Sequence, residues 1–397
     1  MSTHEPRTTT QIRRPKVILP GIIALALATT ACGSSSSGGS EGSGAPASSG
    51  ASASSGAPEA SGAPESSGKL PLEGKRLGVS VCCPQPQIDV IANAITDSVK
   101  KNDTGLASTV VNGQASPQKA VQDVETMIAQ GYDAIWTTAI TGQGFEALAA
   151  QAAEKKIPWV NFSGSAVTGA TLNIVIPETQ LGYAVGVATA DWMQKHNQTD
   201  AAIGATIDGT GANVGRTEGF IDGVHSKLPK VEVFKAANDK PSTTVAAGIG
   251  ANLLQSHPAI HVLFGWTADD GVGLLQAAKE AGNDDPNSFL VVTVEGNDQV
   301  YELLASKSLM QVAASLGYPF GAIAGERMVE KALRGEAIPP TAIMRPTLVT
   351  PDNVAQVQKQ EAKPFDYPER IDSQLAFFDT PLKFGELPTD KVDPVIP

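Results

Sequence analysis

The sequence predicts an α/β protein built from two similar, doubly wound parallel-sheet lobes, and three observations predict it. From residue 76 to 164, short runs rich in β-branched residues alternate with stretches whose apolar residues fall at helical spacing. After an extended piece at 172–176 the same beat restarts and runs on to about residue 294. Ahead of both lies a basic, then apolar leader, followed by a long stretch of Gly, Ser, Ala and Pro. Strand–helix alternation gives parallel strands joined by crossover helices, so each sheet is covered on both faces. Two such sheets in succession imply a cleft between two lobes, and open α/β sheets bind ligands outside the carboxyl ends of their strands.

The leader carries Arg7, Arg13, Arg14 and Lys16 before an apolar run from Val17 to Ala31. That run has the length of a signal-peptide core and is short for a membrane span. It ends in Thr29-Thr30-Ala31-Cys32, followed by Gly33 and serines, so residues 1–31 read as a signal peptide and Cys32 as the acylated first residue of a bacterial lipoprotein. Thr29 stands where such boxes usually carry Leu. The Arg13-Arg14 pair is followed by Pro15 and Lys16, which does not fit twin-arginine export. Residues 33–68 repeat Ser-Gly-Ala-Pro at 43, 55 and 61 and have no apolar surface to bury. As a random coil this tether spans roughly 30 Å. The net charge of -12 excludes a nucleic-acid partner and electrostatic docking on anionic lipid. Localisation is therefore expected at the outer face of the cytoplasmic membrane, with the lipid as the sole attachment.

Strands are expected at 76–81, 108–111, 134–138 and 159–162 in the first lobe, with helices at 87–101, 117–130 and 143–155. In the second lobe the strands fall near 201–207, 231–236, 260–264 and 289–294, and the helices near 179–195, 214–227, 243–256 and 269–281. Trp136 and Trp159 lie in strands and are read as core residues.

Several segments resemble one family. Gly131-Tyr132-Asp133-Ala134-Ile135 followed by Lys156-Ile157-Pro158-Trp159-Val160 is similar to the third and fourth strands of ribose-type periplasmic binding proteins. Arg216-Thr217-Glu218-Gly219-Phe220 resembles their Arg-x-x-Gly-Phe helix start, and His257-Pro258-Ala259-Ile260 leading to Phe264, Gly273 and Ala281-Gly282 resembles a third stretch. The order and spacing match over about 75–350. The resemblance implies the type I periplasmic binding protein fold, with three crossovers near Pro177, Ser315 and Arg345-Pro346. The lobes would then be 69–176 plus 316–344 and 177–315 plus 345–360, with 361–397 as an extension past the usual family end.

The resemblance also implies a monomeric, non-enzymatic sugar-binding subunit that feeds an ABC-transporter permease, with no cofactor and no metal. Related repressors carry an N-terminal helix-turn-helix where this chain has a leader and tether. Two other readings stay open: a receptor that reports to a membrane sensor, and a glycoside-cleaving enzyme using Asp269 and Glu295 as paired carboxylates.

Carried over position by position, the site departs from the ribose type. The aromatic clamp after the first strand is replaced by Gln85-Pro86-Gln87-Ile88, and an Asp-Arg pair after the fourth strand by Ser163-Gly164. Arg216 is retained. An Asn-Asp becomes Thr267-Ala268, flanked by Trp266 and Asp269, a later Asp becomes Glu295, and the Gln of the second crossover becomes Ser315. Arginine, carboxylates and an aromatic ring suit a polyol, whose hydroxyl pairs take bidentate hydrogen bonds while a ring covers its C–H face. Arg216 in particular is expected to bind ligand at the cleft mouth and to matter little for folding; the alternative is a surface salt bridge with Glu218 or Asp222, worth at most about 1 kcal/mol. Cys82-Cys83 falls at the cleft end of the first strand, either as a vicinal disulfide packed on ligand or as two reduced thiols behaving as small apolar residues. The loop Gly209-Thr210-Gly211-Ala212-Asn213-Val214-Gly215 has the wrong spacing for a dinucleotide fingerprint. The five histidines, His4, His196, His225, His257 and His261, show no metal-ligand spacing and are read as solvated.

Overall fold

The computed structural model describes residues 70–209, 213–239 and 242–386. The expected signal peptide, lipidated Cys32 and tether lie outside these residues, as do 210–212 of the glycine-rich loop, 240–241 and 387–397.

The first lobe begins with Arg76–Val81 (β1), buried except at Arg76 and apolar apart from Arg76 and Ser80. It continues through Pro86–Asn102 (α1), Ala107–Asn112 (β2), Pro117–Ala129 (α2), Ala134–Thr137 (β3), Glu146–Glu154 (α3), Trp159–Ser163 (β4) and Leu172–Val175 (β5). Proline opens α1 and α2, where its missing N–H costs nothing, and Ser116 caps α2 by accepting from the Lys119 N–H at 3.2 Å. The second lobe runs through Glu178–Lys195 (α4), Ala202–Ile207 (β6), Val214–His225 (α5), Val233–Ala237 (β7), Thr243–Ser256 (α6), Ile260–Gly265 (β8), Ala268–Glu280 (α7), Leu290–Val294 (β9), Asp298–Ala305 (α8) and Met310–Ser315 (β10).

The chain then returns to the first lobe with Tyr318–Leu333 (α9) and Thr341–Met344 (β11), and again to the second with Thr347–Val349 (β12) and Val354–Ala362 (α10). It ends in the first lobe with Pro368–Ser373 (α11) and Leu375–Phe378 (β13). The sheets have the orders β13-β11-β5-β4-β3-β1-β2 and β12-β10-β9-β8-β6-β7. Pairings are parallel except for β10 with β12 and β11 with β13. Trp136 and Trp159 are buried core residues, 0 % and 1 % exposed.

Residues 361–378, set apart above as an extension, are built into the lobes. The segment makes a fourth crossing between α10 and β13, and β13 pairs with β11 in the register Thr341↔Phe378. Gln374, fully buried, donates from its amide to the carbonyl oxygens of Leu316 at 3.1 Å and Arg345 at 2.8 Å, one on each of two crossovers. Gly317 holds φ +61°, and a β-carbon there would press on the Gln374 amide. A single cluster of buried apolar side chains runs across the hinge, from Val79 through Phe162, Leu316 and Phe320 to Phe264 and Val292.

The histidines have partners inside the chain. His257 stacks on Phe234 at 3.6 Å between ring centroids, His196 stacks on Trp192, His261 bonds Gln198, and His225 bonds the Val231 carbonyl. The reading of these four as solvated is corrected: flat rings fill half-buried positions at helix and strand ends. His4 lies outside the described residues.

One buried acid in this frame has a consequence for pH. Glu326 of α9 is fully buried against α1, accepting from Ser98 Oγ at 2.7 Å and Asn102 Nδ2 at 3.2 Å. Burial, then the neighbouring charge of Glu330, pushes its carboxyl up to about 8. A folded-state value above the unfolded one means that the folded chain holds the proton longer. Its contribution to stability is complete below about pH 4.3 and is lost as pH rises to about 8. Urea unfolding of Glu326→Gln is expected to show a shallower fall in stability between pH 5 and pH 8 than the parent. Equal slopes would contradict the assignment.

Candidate functional site

The site is set first by glycine. In α4 and α5, a β-carbon at Gly182 would collide with the carbonyl oxygen of Arg216, and one at Gly186 with that of Phe220. Without those carbons the two helices pack backbone to backbone, and the first turn of α5 lies against the first turn of α4. Glu178, the first residue of α4 after the Pro177 crossover, thereby meets Arg216.

Arg216 is 4 % exposed, and each of its three guanidinium nitrogens donates at least one hydrogen bond. Nε and Nη2 donate to the two oxygens of Glu178, the second at 3.2 Å. Nη1 donates to Glu295 Oε1 at 2.8 Å and to the Trp266 carbonyl at 3.2 Å, and the guanidinium carbon lies 6.0 Å from the Trp266 ring centroid. Burial works to lower the guanidinium, and the charges of Glu178 and Glu295 carry it well above its ordinary value. Burial likewise pushes the Glu178 carboxyl up, while the Arg216 charge and hydrogen bonds work against it. Glu295 follows β9 with φ +72°, a left-handed conformation that costs a residue with a side chain about 1 kcal/mol or more. Asp269, exposed in the first turn of α7, is raised by partial burial and by the charge of Glu295.

The opposite lobe closes over this cluster. A β-carbon at Gly164, in the loop after β4, would lie 3.3 Å from Glu178 Oε1 and 3.6 Å from Asn213 Oδ1. Asn213 is itself held by Asp208, which accepts from its backbone N–H at 2.8 Å. Tyr318, just past the second crossover, has its hydroxyl raised well above the ordinary value by burial, then by Glu295, with Glu178 and Cys82 adding and Arg216 opposing. The phenol therefore stands among groups from both lobes.

The structure brings Arg216, Trp266 and Glu295 into direct contact, and the Glu295 charge reaches Asp269. Gln87 and Ser315 line an adjoining cavity, with Tyr318 in its wall. Other assigned residues are occupied by the fold. Thr267 caps α7, accepting from the Asp270 N–H at 3.2 Å, and Ser163 Oγ donates to the Ala139 carbonyl at 2.5 Å. Gln85 is exposed at the cap position of α1.

Cys82 and Cys83 are free thiols, so the disulfide alternative is not realised. Adjacent Cα atoms lie about 3.8 Å apart, below the usual span of a disulfide. A hydrogen bond from Cys83 lowers the Cys82 thiol and raises that of Cys83.

Two residues at this candidate site escaped the sequence reading, Glu178 and Tyr318. Both sit within three residues of a predicted crossover, and that position was the available signal. The alternative of a surface pair with Glu218 or Asp222 is not realised, and the expectation that Arg216 matters little for folding is corrected by its burial among Glu178 and Glu295. Its partners lie 38 and 79 residues away in sequence. Removing one partner of a buried ion pair strands the other charges, at about 3–5 kcal/mol. Arg216→Ala is accordingly expected to lower the free energy of unfolding by about that amount in urea titration. A loss under about 1 kcal/mol, the worth of a surface pair, would contradict the buried arrangement.

Comparison with known proteins agrees with this architecture. The model of the periplasmic binding protein domain matches residues 85–337. The ribose import binding protein RbsB of Bacillus subtilis is 26 % identical over 238 residues, covering 60 % of this chain and 75 % of that protein. The galactofuranose-binding protein YtfQ of Escherichia coli is 21 % identical over 206 residues, covering 50 % and 64 %. Among solved structures, an ABC transporter solute-binding protein of Bacillus halodurans with bound myo-inositol superposes with a TM-score of 0.64 at 17 % identity, covering 73 % of this chain and 99 % of that one. A Mycobacterium smegmatis protein in complex with β-D-fucofuranose gives 0.63 at 18 %, covering 76 % and 99 %. With two parallel-sheet lobes, crossovers between them and a family match over most of its length, the chain belongs to the periplasmic binding protein domain family and has the type I fold.

Proposed function

We propose that this chain is an extracytoplasmic solute-binding lipoprotein that captures a sugar or sugar derivative between its lobes and delivers it to an ABC-type permease. The observation that carries the reading is the buried Arg216 cluster, held at the carboxyl ends of β6, β8 and β9 and faced by Cys82, Gly164 and Tyr318. A guanidinium fixed between two carboxylates, beside the Trp266 ring, offers donors and acceptors at set positions. Paired hydroxyls match such an array and an aromatic face suits the C–H side of a sugar ring. The relatives that bind ribose and galactofuranose, and the structures with myo-inositol and fucofuranose, support a polyhydroxylated ligand. The replaced clamp at Gln85-Pro86-Gln87-Ile88 and the lost Asp-Arg pair at Ser163-Gly164 argue for a ligand other than ribose.

Capture proceeds by bending at the crossovers until both lobes enclose the ligand. The ligand-facing set is proposed as Arg216, Trp266, Asp269 and Glu295 from one lobe and Cys82, Cys83 and Gln87 from the other. The hydroxyls of Ser163, Thr267 and Ser315 and the cap residue Gln85 support the loops that present them. Among the described residues no helix is long and apolar enough to cross a membrane. Attachment is proposed through acylated Cys32.

A thermal-shift panel of pentoses, hexoses and inositols is expected to contain a stabilising ligand. At 100 times its dissociation constant it adds roughly 2.7 kcal/mol to folding stability. A shift with nucleosides or amino acids alone would remove the sugar assignment. Cys32→Ala is expected to move the protein from the membrane fraction to the medium with ligand affinity unchanged, because the tether isolates the lobes from lipid. Retention in membranes would overturn the anchor.

A further inference from the structure

The C-terminal segment reaches the cleft as well as the hinge. A cavity of about 270 Å³ opens between Gln87 of one lobe and Asn297 and Tyr301 of the other, walled by Tyr318 and, from α10, by Glu361. The cavity adjoins the Arg216 cluster through Gly296, which lines it and directly follows Glu295, the partner of Arg216. The volume lies just under the roughly 300–1,000 Å³ of drug-sized sites, which suits a monosaccharide or cyclitol rather than an oligosaccharide.

Two hydroxyls hold Glu361 in place. Ser315 Oγ donates to its Oε1, and Tyr301 OH donates to its Oε2 at 2.7 Å. Gly296 leaves room for this contact, because a β-carbon there would collide with the Tyr301 phenol oxygen. Each carboxylate oxygen retains a further acceptor site. Burial pushes the carboxyl up and the two donated bonds work against it. Ser315 stands where the resemblance implies a ligand-binding Gln. Its short side chain is spent on Glu361, whose longer side chain lines the cavity.

Building on the sugar-capture reading, we infer that Glu361 is a specificity-determining residue that accepts a hydrogen bond from a hydroxyl of the captured ligand. The C-terminal segment thus supplies a contact for which the ribose type uses its second crossover. This contact favours ligands with a hydroxyl directed at α10 over epimers that turn it away.

The test is calorimetry of the full mature chain, as parent, Glu361→Gln and Glu361→Ala, against D-ribose, D-allose, D-galactose, L-arabinose and myo-inositol. The Gln variant keeps the size of the side chain and guards against a folding defect in the Ala variant. The expected result is an uneven loss. The parent's tightest ligand weakens about tenfold or more, roughly 1.4 kcal/mol, while weaker ones change less and the ranking shifts. Affinities all within threefold of the parent, or all lowered by one common factor as a loosened hinge would give, overturn the contact while leaving sugar capture standing. A parent that binds none of the five overturns the sugar reading and the Glu361 contact with it.

Discussion

A guanidinium that is 4 % exposed must be paired, and the pairing of Arg216 organises the rest of this molecule. Its two carboxylate partners come from the first crossover and from the end of β9, and its third acceptor is the Trp266 carbonyl at the end of β8. Four chain segments distant in sequence must therefore converge to within hydrogen-bond distance. The glycines of α4 and α5 let the helix backbones touch, and the left-handed backbone at Glu295 turns its carboxylate inward. A buried ion pair is weak evidence of net stability, because desolvation consumes much of the Coulomb gain. What it fixes is position, and a capture site depends on donors and acceptors that are in place before ligand arrives.

The hinge shows a second use of buried polar groups. Three crossovers alone would leave carbonyls at Leu316 and Arg345 close to the lobe boundary without a common partner. Gln374 satisfies both, and β13 ties the segment that carries it to the edge of the first sheet. The C-terminal segment thereby touches both lobes, with α10 against α8 and α11 against α9. The proposed bending has to redistribute these bonds or rotate about them as a unit, which would make the segment part of the hinge.

Much of the fold was legible because its signal is local. Strand β1 was expected at 76–81 and is found there, and helix α6 matches at 243–256, since both carry an uninterrupted pattern bounded by turn residues. The site was legible only where motif and position coincided, as at Arg216, Trp266 and Glu295. The pairing of Arg216 was not, because Glu178 and Glu295 approach it through tertiary packing that no spacing rule encodes. The nearer acids Glu218 and Asp222 looked adequate in sequence, yet they share a helix with Arg216 and satisfy none of its donors in the structure. The C-terminal segment was unreadable for the same reason: β13 is four residues long and acquires its role only by pairing with β11.

One set of groups is the keystone of the second lobe and, in the proposed function, the floor of a capture site. A crystal structure of the mature chain with a sugar from the thermal-shift panel tests that claim most directly. The expected result is a sugar enclosed between the lobes, with at least one ring oxygen or hydroxyl hydrogen-bonded to Arg216 or Glu295 and with the Glu178 pairing intact. A sugar bound away from this cluster, or a cluster that separates to admit it, would contradict the account.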